Sequence, residues 1–238
     1  IRNFLKMCYD RSTSGDELKY VLLLGDGSYD NKNIMGHGDN LIPTYQSENS
    51  LHEPSSFITD DFFVLLDEGE GGHSGLIDLG IGRIPATSVY EAQTVVNKIK
   101  NYVDTVSLGS WRNVICLIGD DEDFNDHMEQ AEFMANFLNE DHPAFYTDKI
   151  YFDAYQEETG PGGETYPGVN EAINNRVKNG ALILNYTGHA NEKSMAHEKV
   201  LDINDIDSWT NYNKLPIFVT ATCEISRFDS EEKSAGEH

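Results

Sequence analysis

Short apolar runs alternate with longer stretches of helical period along this chain. The runs Tyr20–Gly25, Asn113–Gly119, Lys149–Asp153, Ala181–Tyr186 and Ile217–Thr222 are rich in aliphatic or aromatic residues. Their brevity and their Gly, Pro and Asp borders mark buried strands rather than helices. Between them the period changes. Ser88-Val-Tyr-Glu91 is a capping box, and Ala92, Val95, Val96, Ile99, Tyr102, Val103 and Val106 continue it as a 3.6-residue apolar stripe. Helical patterns also cover about 2–12, 126–139 and 169–177. Phe62–Asp67 and Ile77–Ile81 read as two more strands, joined as a hairpin by the Gly-rich segment Glu68–Gly75. That segment lacks dinucleotide-binding spacing and opens no helix, so it is no phosphate cradle. Strands alternating with helices predict βαβ units and a mostly parallel α/β sheet.

Composition narrows the classes. With 39% hydrophobic and 11% aromatic residues over 238 positions, the chain holds enough apolar surface for a core. It carries 41 acidic against 17 basic residues, a formal charge of −24. No basic stripe relieves that charge, which argues against nucleic acid as a partner. Cys8, Cys116 and Cys223 cannot all pair, and Cys116 sits inside the apolar run Val114–Ile118. No stretch is long enough to span a membrane. Ile1 in place of an initiating Met, and the unfinished end Ser234–His238, predict a piece of a longer protein.

Two strand ends carry the chemistry. Ala181–Tyr186 runs into Thr187-Gly-His189, and Ile217–Thr222 runs into Cys223. In an open α/β sheet, working groups collect outside the carboxyl ends of the strands. A thiol facing an imidazole there is the minimum machinery of a cysteine hydrolase, because the thiolate is the nucleophile and the ring can take its proton. The bland alternative is a buried small hydrophobe beside a structural histidine.

The segments around these residues resemble the gingipain-type cysteine peptidases. The likeness rests on Asn185-Tyr-Thr-Gly-His189 and Leu215-Pro-Ile-Phe-Val-Thr-Ala-Thr-Cys223. Leu24-Gly-Asp-Gly-Ser-Tyr-Asp30, Pro43–Ser47, Gly82-Arg-Ile-Pro85 and Cys223–Asp229 are similar to the sortase branch of that family, which serves type IX secretion. The resemblance implies a caspase-like (gingipain-like) three-layer α/β sandwich. It implies an N-terminal subdomain over 1–110 and a catalytic subdomain over 111–238. His189 would be the general base and Cys223 the nucleophile. An acidic residue should orient the imidazole, and Asp121 fits best, with Asp120 one step away. The backbone N–H groups of Cys223 and Ala190 would form the oxyanion hole, although the family usually carries Gly at the latter position. Structural calcium is implied too, and Asp26, Asp30, Asp60 and Asp61 are the loop carboxylates that suit it. No organic cofactor is expected. His37, His52, His73 and His197 lack zinc-ligand spacing.

The implied activity is endopeptidase cleavage of C-terminal signal domains from secreted cargo, through a thioester open to transfer onto an amine. The implied partners are those cargo proteins and other type IX secretion components. The implied location is the outer-membrane surface of a Gram-negative, Bacteroidetes-type bacterium. The alternative is a degenerate domain that binds cargo without cutting it.

Overall fold

The computed structural model describes residues 1–36, 40–47, 56–71 and 74–238. The described chain falls into two compact units. One comprises Ile1–Val95 with Phe228–Glu232, the other Val96–Arg227 with Lys233–His238.

The first unit opens with α1 (Arg2–Asp10) and β1 (Tyr20–Leu24). The short strands β2 (Tyr45–Gln46) and β3 (Ile58–Thr59) pair antiparallel, and β4 (Gly80–Ile84) lies parallel to β1. Leu5, Leu23, Phe63, Val64, Leu66 and Leu79 form its core. Phe62–Asp67 is not a strand: Asp61–Val64 forms a 3-10 turn, and the second strand begins at Gly80 rather than Ile77. A continuous apolar run reads alike whether it enters the core extended or coiled. The predicted hairpin is therefore replaced by the parallel β1–β4 pair. Part of its loop, residues 72–73, lies outside the described residues.

The recognisable motifs of this unit converge on Arg83. Its Nε and Nη2 donate to the two Asp60 oxygens at 2.7 Å each. Nη1 donates to the carbonyls of Gly25 and Ile42 at 2.8 and 2.9 Å, and Nη2 also to Pro43 at 3.2 Å. All five guanidinium donors are used, as burial of an arginine requires. The chain returns at Phe228, whose ring lies 4.7 Å from the Arg83 guanidinium, and Asp229 accepts from Tyr29 N.

α2 (Val89–Val103) spans the division between the units. Its apolar stripe is only partly covered: Ala92, Val95 and Tyr102 are half-buried, with the Tyr102 ring edge-on to Trp111, whereas Val96, Ile99 and Val103 are exposed.

The second unit continues with β5 (Val114–Gly119), α3 (Asp126–Asp141), β6 (Tyr146–Tyr151) and the hairpin of β7 (Glu158–Gly160) and β8 (Gly163–Thr165). Then come α4 (Pro167–Asn179), β9 (Ile183–Thr187) and the pair β10 (Ser194–Met195) and β11 (Leu201–Asp202). α5 (Ile203–Ser208) and β12 (Ile217–Ala221) complete it. Four strands make one parallel sheet in the order β12–β9–β5–β6. Alternation along β5 sorts its two faces. Ile115 and Leu117 pack with Ala131 and Ala135 of α3, whereas Cys116 and Ile118 pack with Val169, Ile173 and Val177 of α4. That gives helix, sheet and helix, three layers in all.

Strand order fixes where a site can form. From β5 the chain moves outward to β6, and from β9 it moves outward the opposite way to β12. The carboxyl ends of β5 and β9 therefore border a crevice at a topological switch point.

Candidate active site

Three strands end on one rung. Gly119 of β5 pairs with Thr187 of β9, and Thr187 with Ala221 of β12. His189 and Cys223 each lie two residues past it, on strands about 4.8 Å apart.

The peptide of His189 is held from both sides. Its N–H donates to Asp120 Oδ2 at 2.9 Å, and its carbonyl accepts from Tyr186 Oη at 2.6 Å. Asp120 is wholly buried and also accepts from Glu122 N at 3.1 Å. Tyr186 is fully buried, and desolvation first, then the Asp120 charge, pushes its phenol well above the ordinary range. Gly188 permits this closeness. A Cβ there would lie 2.4 Å from Asp120 Cβ and 2.6 Å from the Tyr186 oxygen.

The imidazole reaches outward. His189 Nε2 lies 2.8 Å from Asp123 Oδ2 and 3.7 Å from Glu122 Oε2. Asp121, the expected partner, instead accepts from Tyr166 Oη at 2.6 Å, and Asp120 serves the His189 backbone. The cause is local. Asp123, Phe124 and Asn125 have φ of 52°, 61° and 71°, three left-handed residues in a row that carry the Asp123 carboxylate back to the ring. Asn tolerates that region better than most residues; Phe does not. Phe124 projects entirely into solvent.

Cys223 is exposed, whereas Cys116 lies in the core, where burial first and the Asp148 charge second push its thiol up to about 12. Just past Cys223 the backbone turns tightly. Ile225 N donates to Cys223 O at 2.7 Å, with Glu224 at φ 55°. Such strain is typical of residues over-determined by a functional site. Ala190 does not have a positive φ, so its Cβ is accommodated without strain. Its N–H also stays out of the adjoining ladder, which runs through Asn191 N to Ser194 O and Ala196 N to His189 O.

The profile of Peptidase family C25 matches residues 1–238. The chain belongs to this family of cysteine peptidases, the gingipain family. Solved structures agree on the fold. The Arg-specific cysteine proteinase gingipain R (RgpB) superposes with a TM-score of 0.70 at 21% identity, covering 99% of this chain and 47% of that one. The complex of RgpB pro- and mature domains from Porphyromonas gingivalis gives 0.68 at 20% identity, with 99% and 48% covered. A structure titled only as a protease gives 0.70 at 18% identity, with 99% and 45% covered. The C25 chain thus spans about half the length of the structures it matches. No curated protein sequence matches it.

Elsewhere in the C25 chain, the carboxylates expected to hold calcium are spread over other tasks. Asp60 gives both oxygens to Arg83. Asp30 accepts from the backbone N–H groups of Ile34, Met35 and Gly36 at 2.7, 2.7 and 3.1 Å. Asp26 accepts from Gly27 N, and Asp61 follows on the 3-10 turn. Among the described residues these four do not come within joint ligand distance of an ion, so they do not fit a shared calcium site. His37, His52 and His73 lie outside the described residues. His197 pairs through Nδ1 with Glu122 Oε1 at 2.8 Å, and that hydrogen bond raises its pKa.

Sequence reasoning did not place Asp123, Glu122 or His127 beside His189. The signal was present as an acidic run, Asp120–Asp123, followed by His127 one helical turn beyond Asp123.

Proposed function

We propose that this chain carries a cysteine endopeptidase in which Cys223 attacks, His189 moves the proton and Asp123 orients the ring. The carrying observation is the common rung. His189 and Cys223 leave the sheet in register, and Asp123 occupies His189 Nε2. With Nε2 donating its proton to Asp123, the lone pair of Nδ1 is left to face the thiol. Nδ1 takes the Cys223 proton as Sγ bonds to the scissile carbonyl carbon. The developing oxyanion is stabilised by the N–H groups of Ala190 and Cys223. Collapse breaks the C–N bond, and the His189 proton passes to the departing amine, leaving a thioester. Water or a second amine then attacks the thioester and releases the thiol.

The substrate class proposed here rests on the motif resemblance to PorU, the type IX secretion sortase. In that reading the thioester forms where a C-terminal signal domain is removed, and an amine acceptor at the cell surface competes with water. No described helix is long and apolar enough to cross a membrane. The net charge of −24 suits an extracytoplasmic surface.

The test is cleavage of a cargo protein that ends in such a signal domain. Cys223→Ala, folded by circular dichroism, is expected to release no cargo and to form no thioester. Cleavage retained by that variant would defeat the reading.

A further inference from the structure

The geometry points to a second ligand for the catalytic histidine: His189, Asp123 and His127 form an inhibitory site for a borderline divalent transition metal, with Zn2+ the fitting ion. The site deepens the peptidase reading by adding regulation to it.

Three ligand atoms, one from each residue, lie within 4.8 Å of one another. His127 stands on the first turn of α3, its ring edge-on to His189 with centroids 5.1 Å apart. Asp123 Oδ2 is the shared vertex, 2.8 Å from His189 Nε2 and 3.4 Å from His127 Nε2. Tetrahedral zinc with bonds of about 2.0–2.1 Å holds its ligands about 3.3 Å apart. One edge already has that length. The other must open by about half an ångström, which a His189 ring 41% exposed can supply by rotation.

His127 gives the independent sign. Its Nε2 is out of contact with water and makes no hydrogen bond, despite facing the Asp123 oxygen at 3.4 Å. A buried polar nitrogen without a partner is a standing penalty on the folded chain. A cation between it and Asp123 removes that penalty. Two imidazoles and one carboxylate, with a fourth position open to water, are ligands for zinc rather than for calcium or magnesium, which prefer oxygen alone.

The consequence for catalysis is a matter of lone pairs. Catalysis needs Nδ1 unprotonated and Nε2 bearing the proton. Zinc on Nε2 takes the lone pair there and forces the ring's proton onto Nδ1, which can then accept nothing from Cys223. The metal also takes Asp123 away from its orienting role. Zinc at this site silences the base without touching the thiol.

Binding is measured first and separately from activity, by calorimetric titration of Zn2+ into Cys223→Ala, which lacks the exposed thiol. One ion per chain is expected. His127→Gln in the same background should weaken binding at least about tenfold, by analogy with the loss caused by removing a metal's supporting partner. Asp123→Asn, at an exposed position, checks this independently of any effect of His127 on folding. Equal affinity in all three proteins would overturn the site. In the protein with Cys223 intact, zinc should inhibit cleavage reversibly. The half-inhibiting concentration, referenced to each protein's own metal-free rate, should rise about tenfold or more in His127→Gln. Equal inhibition of both would place the metal on the thiol and overturn the mechanism. Zinc binding without peptidase activity would leave the site standing while removing the peptidase reading.

Discussion

An imidazole that serves as a base has one proton to place and two nitrogens to choose from, and its neighbour decides the choice. In the proposed mechanism that neighbour is Asp123, which lies against His189 Nε2, whereas Asp121 is occupied by Tyr166. Asp123→Asn is therefore expected to lower kcat by roughly 10- to 100-fold with little change in KM. That is less than the ~10⁴-fold loss seen when a buried triad aspartate becomes asparagine, because Asp123 is 59% exposed and water can partly replace it. Asp121→Asn should leave the rate nearly unchanged. Steady-state kinetics on the two variants distinguish the orienting carboxylate, and equal losses would refute the assignment. The contrast also shows what a sequence can reveal. The placement of His189 and Cys223 past neighbouring strand ends was legible because each follows an apolar run. Asp123 was not legible, because its reach depends on three consecutive left-handed residues, one of them, Phe124, a type that rarely adopts that conformation.

Elements were easier to read than their partners. All the strands of the four-stranded sheet and the helices α3 and α4 fall close to the positions that apolar periodicity predicts. Phe62–Asp67 misled because apolar character reports burial, not extension. The stripe on α2 misled in the opposite sense, since periodicity shows which face is apolar but not what covers it. The Gly82-Arg-Ile-Pro85 motif has a structural explanation that composition alone cannot supply. Arg83 on β4 ties Asp60 to three backbone carbonyls, with its side chain only 4% exposed. Arg83→Ala leaves the Asp60 charge and those carbonyls without their donor. It should destabilise the chain by about 3–5 kcal/mol, read as a fall in the urea midpoint. A change below about 1 kcal/mol would mean that water replaces the guanidinium readily.

At the scale of the whole molecule, buried protons set an alkaline limit. Cys116 holds its proton up to about 12 in the folded chain, against an ordinary thiol value of 9.0. Burial likewise raises the phenols of Tyr151 and Tyr186. Once pH passes 9.0 the unfolded chain releases the Cys116 proton while the folded chain keeps it. This contribution to stability is complete below 9.0 and is lost as pH climbs toward 12, by up to about 1.4 kcal/mol per pH unit for each such group. Melting temperature should therefore fall steeply above pH 9, and Cys116→Ser should flatten that fall relative to its own value at pH 7. The acidic surface, at −24, adds repulsion that salt relieves but does not alter this window. Heat finds a different weak point. Residues forced into left-handed backbone cost roughly 1–3 kcal/mol each, and Asp123, Phe124 and Asn125 sit together on a loop outside the sheet. Warming will release that loop while β5, β9 and β12 are still paired. In the proposed mechanism, activity is then lost below the temperature at which the sheet unfolds and regained on cooling, so the working temperature is set by one turn of backbone rather than by the core.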